Sequence, residues 1–277
     1  MAPAPTFELS DYDACIFDLD GTVWLGATDP IPGAADFLQR CRDHGIAIAY
    51  ATNAIVHTPD TLSARLCEAG LARPGEPVVT SGLVITRTLE QRGVERVAAL
   101  VPDALATSLA DAGIDVIPPD DITPEEFGEP GPTRALAMAS FRQATIGSIE
   151  RLGRLANEGH PLYLSSSEPG YPVTGGIEPG GGVLYAALRF MYDVEAIVLG
   201  KPSPEYAATV ADAVGGPTQR IVMIGDSQRA DIGIAAELGC IGVLLTGYSV
   251  KPIDPTLPAP AYVASSLADR FAPYEGG

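Results

Sequence analysis

Short apolar runs, each ending abruptly in polar residues, recur along this chain. Ala14–Phe17, Ile46–Ala51 and Pro77–Ser81 are too short for helices, and their continuous apolar character predicts buried strands. Between them, apolar residues recur three and four positions apart. Ala34, Phe37, Leu38 and Cys41 mark one helix, closed by Gly45. Leu62 and Leu66 mark another, opened by Thr58-Pro59 and closed by Gly70. Strand alternating with helix predicts a mostly parallel sheet covered on both faces.

A second rhythm starts after Gly82. It predicts a helix over 83–92, a strand over Val97–Val101 and a helix from Asp103 to Ala112. Strands at Ile114–Ile117 and Ala135–Ala139, a helix over Ile146–Asn157, a strand at Leu162–Leu164 and a helix over 183–192 follow. Residues 118–132 and Pro169–Gly182 are rich in glycine or proline and read as loops. The first rhythm resumes at Ala196. Ile197–Leu199 ends in Gly200-Lys201-Pro202, and a helix begins at Ser203-Pro204-Glu205 with Tyr206, Val210 and Val214 on its apolar face. Ile221–Ile224 ends in Gly225-Asp226-Ser227, and the next helix carries Asp231. The strand Ile241–Leu245, a weak strand at Tyr262-Val263 and a short helix over 265–271 complete the pattern. The reading is an α/β chain: a core of 1–82 and 196–277, interrupted by an α/β insert of 83–195.

Asp18/Asp20, Thr52/Asn53, Lys201 and Asp226 all follow buried strands, so the parallel sheet should bring them to the crevice beyond its carboxyl ends. Asp18 and Asp20 are alternate residues and can share one site. Two carboxylates resist such sharing unless a cation or a shared proton offsets their repulsion.

Composition narrows the reading. The 277 residues are 46% apolar, enough for a substantial core. No run approaches the roughly 18 apolar residues of a membrane span, and Met1–Ser10 lacks the pattern of a signal peptide. A formal net charge of −18 disfavours nucleic acid and anionic membranes. It would also repel an anionic substrate unless the site supplies positive charge of its own. Cys15, Cys41, Cys67 and Cys240 lack metal-site spacing and read as buried free thiols of a cytoplasmic protein. No GxGxxG fingerprint follows the first strand. His57 reads as a solvent-facing loop residue.

Four stretches carry a family resemblance: Asp18-Leu-Asp-Gly-Thr22, Thr52-Asn53, Gly200-Lys201-Pro202, and Gly225-Asp226 with Asp231. In order and in their placement at strand ends, they resemble the haloacid dehalogenase superfamily of phosphohydrolases. The large insert, with Gly200-Lys-Pro-Ser-Pro-Glu205 and Pro179-Gly-Gly-Gly182, resembles the type-two cap of the NagD-like, 4-nitrophenylphosphatase-like subgroup. The resemblance implies a Rossmann-like core with an inserted type-two cap. It also implies a Mg²⁺-dependent phosphomonoester hydrolase acting on a small phosphorylated metabolite through an aspartyl-phosphate.

The resemblance further implies roles. Asp18 would be the nucleophile, Asp20 the general acid and base, and Lys201 the cation that offsets the charge of Asp18 and phosphate. Gly21, Thr52, Asn53 and Lys201 would hold the phosphoryl group, with Thr22 tying the turn. Mg²⁺ would be bound by the Asp18 side chain, the Asp20 carbonyl and Asp226, supported by Ser227 and Asp231. A phosphotransferase or phosphomutase would use the same intermediate. A binding protein on this fold should lack at least one of these positions, and none of Asp18, Asp20, Lys201 or Asp226 is missing. A homodimer through the cap is left open.

The cap departs from its relatives. Ser165-Ser166-Ser167-Glu168-Pro169 stands where they often carry Thr-Asn followed by Pro-Asp, and Ala139-Ser140-Phe141 stands where they carry Gly-Asp. Glu168 facing the site would favour hydroxyls or an amine on the substrate, as in a sugar or amino-sugar phosphate. Tyr171 could stack on a ring.

Overall fold

The computed structural model describes residues 6–26, 28–139, 144–173, 176–216, 220–248 and 252–275, with the side chains of 171–173 and 176–178 left out of the description. The chain divides into two compact units. The first comprises Met1–Thr52, Pro59–Val79 and Lys201–Gly277, and the second Asn53–Thr58 and Thr80–Gly200.

The first unit is built on a seven-stranded sheet. The strand Ala14–Phe17 lies between Ala47–Thr52 on one side and Ile221–Gly225 on the other. Val78–Thr80 flanks the first neighbour, and Ile241–Leu245 and Tyr262–Ala264 flank the second. The central pairings of Ala14–Phe17 are parallel, and the edge pairing of Tyr262–Ala264 with Ala272–Pro273 is antiparallel. All four residues of Ala14–Phe17 are fully buried, as a central parallel strand requires. Phe17 meets Phe37 edge-on with ring centroids 6.0 Å apart, and its ring centroid is 6.4 Å from that of Tyr50. Each such side chain contributes about 1.5–3 kcal/mol through burial. Arg42 clamps Glu76 bidentately at 2.7 and 2.8 Å, and the Tyr50 hydroxyl donates to Leu71 O at 2.7 Å.

Register aligns the strand ends. Phe17 pairs with Tyr50 and with Ile224, so Asp18, Ala51 and Gly225 lie on one level. Successive strands depart to opposite sides of Ala14–Phe17, which makes its carboxyl end the switch point of the sheet.

The second unit has its own parallel sheet, in the order Ala196–Val198, Leu162–Leu164, Arg134–Met138, Arg96–Leu100, Asp115–Ile117. Its core gathers Leu100, Phe127, Leu136, Leu152, Leu164 and Leu188. Thr145 opens the Ile146–Asn157 helix through a reciprocal cap with Ser148.

The structure departs from the sequence reading in several places. Ala196–Val198 pairs with Leu162–Leu164, so the second unit runs to Gly200 rather than to 195. Gly170–Val173 and Gly176–Pro179 form an antiparallel hairpin where a loop was expected. Within 118–132, Thr123 caps a short helix, Pro124–Phe127, that buries Phe127. No helix forms over 265–271: Ser266 Oγ donates to Asp269 and accepts from Ala268 N, so a side chain takes the bonds a helix would use. Cys67 and Cys240 are half-buried, unlike the fully buried Cys15 and Cys41. His57 is half-buried. Ser140 and Phe141 lie outside the described residues. No helix among the described residues is long and apolar enough to cross a membrane.

Candidate active site

Asp18 continues the central strand by one residue, its N–H donating to Ile224 O at 2.9 Å. Its buried side chain accepts from Lys201 Nζ at 2.5 Å. Lys201 Nζ also reaches Asp231 Oδ1 at 2.6 Å and Ala51 O at 2.9 Å. One buried ammonium thus joins a strand end, a neighbouring strand and the segment after Ile221–Gly225.

Three oxygens, one each from Asp18, Asp226 and Asp231, lie within 4.8 Å of one another. Burial pushes the Asp18 carboxyl well above the usual carboxylate range; Lys201 opposes this, while Asp231 and Asp226 add to it. Asp226 is pushed up to about 7, by burial first and then by Asp231. Burial works against the charge on Lys201, but Asp18 and Asp231 outweigh it and the ammonium is held more tightly than usual. Three ionised carboxylates and one ammonium leave two negative charges in excess, which a divalent cation would cancel. The donors are hard oxygens of the kind Mg²⁺ takes. The residues therefore fit such an ion.

The carboxylates are not equivalent. Asp231 is fully buried, with Oδ1 on Lys201 and Oδ2 accepting from Ser227 N at 2.9 Å. It lies in a π-helical stretch, Gln228–Ile232, that opens into the Gly233–Leu238 helix. Such stretches occur often at functional sites. Ser227 Oγ accepts from Ala230 N at 3.2 Å and so caps this stretch. Asp20 is exposed, and its charge is felt at Asp226.

The turn between Asp18 and Trp24 is held by its backbone. Gly21 N donates to Trp24 O at 2.9 Å, and Thr22 N and Val23 N donate to Leu19 O at 3.2 and 2.9 Å. Thr22 was expected to tie this turn. Its backbone does so, while its buried hydroxyl finds no partner among the described residues. Gly21 has φ +87°, and a Cβ there would lie 2.5 Å from Asp226 Oδ2. Glycine is needed on both counts.

The Ala47–Thr52 strand ends in the buried Thr52. Asn53, Glu168 and Tyr171 belong to the second unit. Asn53 is half-buried, and its carbonyl accepts from Ser81 Oγ at 2.9 Å. Glu168 is half-buried, on a segment backed by glycines: a side chain at Gly182 would strike the carbonyls of Ser167 and Glu168. The Tyr171 side chain lies outside the description.

Sequence reasoning placed Tyr206 in the core and missed its polar end. Its hydroxyl is 2.7 Å from Val79 O and 2.9 Å from Thr52 O. The available signal was a tyrosine, rather than a leucine, on an apolar helix face just after Lys201-Pro202.

A family model described as haloacid dehalogenase-like hydrolase matches residues 15–115, and a second, described as HAD-hydrolase-like, matches 198–270. The dihydroxyacetone phosphatase of Corynebacterium glutamicum is 31% identical over 255 residues, covering 91% of this chain and 88% of that protein. A glycerol phosphate phosphatase from Mycobacterium tuberculosis, solved with magnesium, shares the fold with a TM-score of 0.79. It is 24% identical over 95% of this chain and 78% of its own. NagD from E. coli K-12 aligns with a TM-score of 0.78 and 21% identity, over 93% of this chain and 98% of its own. The chain belongs to the haloacid dehalogenase-like hydrolases, as a phosphatase with a Rossmann-like core and an inserted cap, a fold it shares with NagD.

Proposed function

We propose that this chain is a Mg²⁺-dependent phosphomonoesterase of small phosphorylated polyols or sugars, working through an aspartyl-phosphate on Asp18. The observation that carries the reading is the buried Lys201, bonded to both Asp18 and Asp231 beside Asp226. Lys201 holds one Asp18 oxygen, leaving the other to attack phosphorus as the bond to the leaving oxygen breaks. Asp20, exposed at the turn, protonates that leaving oxygen. Asp20 then takes a proton from the water that attacks phosphorus, which releases inorganic phosphate and restores Asp18. The Thr52 hydroxyl and Asn53 receive the phosphoryl oxygens; the Gly21, Thr22 and Val23 N–H groups are spent within the turn, and Lys201, its three protons on Asp18, Asp231 and Ala51 O, contributes charge.

Asp18, the Asp20 carbonyl and Asp226 would hold Mg²⁺, which when bound supplies positive charge that lets the carboxylate and the phosphate approach. Both oxygens of Asp231 already have protein partners. In this reading it supports the site by fixing Lys201 and the Ser227 loop.

The substrate class rests on two relatives, named for dihydroxyacetone phosphate and glycerol phosphate, both short and hydroxyl-bearing. Glu168 and Tyr171 are the cap residues expected to read the part beyond the phosphate, and Glu168 extends the class to amino-sugar phosphates. A homodimer through the second unit belongs to the same reading, supported by the exposed Phe190 and Met191 at the end of the Gly181–Met191 helix. Sedimentation would show it.

The test is phosphate release from a panel: dihydroxyacetone phosphate, glycerol phosphates, sugar and amino-sugar phosphates, phosphoglycolate, pyridoxal phosphate and nucleotides. Each is run with Mg²⁺, with chelator, and with Asp18→Asn as the blank. Turnover confined to short polyol, sugar and amino-sugar phosphates is expected. Preference for nucleotides, or transfer to an acceptor without phosphate release, overturns the reading.

A further inference from the structure

The chain leaves the first unit after Thr52 and again after Val79, and it returns at Pro59 and finally at Lys201. Tyr206 lies in the first turn of the Pro204–Ala213 helix that follows that return. Ser203 fixes this turn by accepting from Tyr206 N at 3.2 Å, with Pro204 at the first helical position. The Tyr206 ring is fully buried, and its hydroxyl is aimed at two backbone carbonyls, Val79 O at 2.7 Å and Thr52 O at 2.9 Å. Those carbonyls belong to the last first-unit residue of each exit. A single side-chain oxygen therefore touches both points at which the chain departs, from a helix anchored where it comes back.

We infer that Tyr206 is a positioning residue: its hydroxyl fixes the ends of the Ala47–Thr52 and Val78–Thr80 strands, and so fixes Thr52 against the phosphoryl group. This rests on the reading of Thr52 and Lys201 given above. A phenol has one proton to donate, so the two carbonyls share it and are held close together. Phenylalanine would fill the same space and leave both carbonyls facing apolar carbon. The strand ends would then relax apart to find other donors, and Thr52 would move with them. Lys201 is held separately, by Asp18, Asp231 and Ala51 O. The consequence should therefore fall on phosphate binding more than on the chemical step.

Tyr50 supplies a matched control. It lies on the Ala47–Thr52 strand two residues before Thr52 and is equally buried, and its hydroxyl meets Leu71 O at 2.7 Å and Glu76 at 3.0 Å, neither of them part of the candidate site. Tyr206→Phe and Tyr50→Phe are compared with wild type and Asp18→Asn in the full chain with Mg²⁺. The readouts are melting temperature, kcat and KM on the best ester of the panel, and inhibition by inorganic phosphate. Tyr206→Phe should raise KM and the phosphate inhibition constant together by about tenfold while kcat stays within about threefold. Tyr50→Phe should lower the melting temperature and move neither constant. Unchanged KM and phosphate inhibition in a folded Tyr206→Phe, with Asp18→Asn inactive, overturns the positioning role alone. Full activity in Asp18→Asn overturns the site reading and the inference with it. If Tyr206→Phe does not fold, Tyr206→Met, which also lacks the donor, takes its place. Failure of both to fold overturns the positioning role in favour of a purely structural one.

Discussion

Lys201 Nζ donates to Asp18 Oδ1 at 2.5 Å, across 183 positions of sequence. The same ammonium reaches Asp231 at 2.6 Å, and all three side chains are shielded from solvent. A charge held this way is useful only while its partners stay ionised.

Lys201→Met tests that dependence. Removing the cation leaves Asp18 and Asp231 facing each other in a buried site. Activity should fall by about a thousandfold or more, in line with the loss of a preorganised charge at a phosphoryl centre. Stability should drop by about 3 kcal/mol, as for a broken buried pair. Urea unfolding beside the activity assay reads both, and Mg²⁺ should recover part of the stability and none of the rate.

Asp226 gives a pH prediction with a definite sign. Its carboxyl is raised to about 7 by burial and by Asp231. A folded value above the unfolded one means that ionisation costs stability. In chelator, the wild type should therefore lose melting temperature relative to Asp226→Asn as pH rises from about 4 to about 7. Added Mg²⁺ should raise the melting temperature of the wild type and leave Asp226→Asn unmoved. Equal curves for the two proteins in chelator would contradict the crowding of carboxylates described above.

Gly21→Ala adds one methyl group where φ is +87° and Asp226 Oδ2 is 2.5 Å away. Either the turn or Asp226 must shift. The Mg²⁺ concentration for half-maximal activity should rise by about tenfold or more, and titration of activity against Mg²⁺ measures it. Gly26, also at positive φ but with nothing near its Cβ position, is the control. Gly26→Ala should carry only the backbone cost.

His160 gives the opposite pH behaviour in the second unit. It is buried against Phe127 with ring centroids 4.9 Å apart, and Nε2 meets Gly128 O at 3.1 Å. Nδ1 has no partner among the described residues. Burial holds the imidazole below its ordinary value of 6.5. Protonation thus favours the unfolded chain, and stability present above about pH 6.5 is lost as pH falls below it. His160→Gln keeps a donor for Gly128 O without titrating, so its melting temperature should fall less between pH 7 and pH 5.

Much of this arrangement was legible because buried strands announce their own ends. Ile16-Phe17 stops at Asp18, and Ile224 stops at Gly225-Asp226. Parallel pairing does the rest, since Phe17 aligned with Ile224 must bring the residues beyond them together. The illegible parts have physical reasons too. The hairpin of 170–173 and 176–179 is written in Gly and Pro, and lacks the alternation that betrays a strand. Ala196–Val198 is apolar enough for either sheet, and its partner, Leu162–Leu164, is a tertiary fact. The hydroxyl of Tyr206 was hidden because a tyrosine at an apolar helical position reads as filling.

The span between Asp18 and Lys201 has a consequence for synthesis. On the ribosome the central strand emerges long before the lysine exists, and Asp231 comes later still. Until then Asp18 belongs to an incomplete sheet, lacking the Ile221–Gly225 strand that covers one side of Ala14–Phe17. The second unit, with its own sheet and core, is complete in sequence by Gly200. The insert can therefore fold while the unit that hosts it is still waiting for its other half.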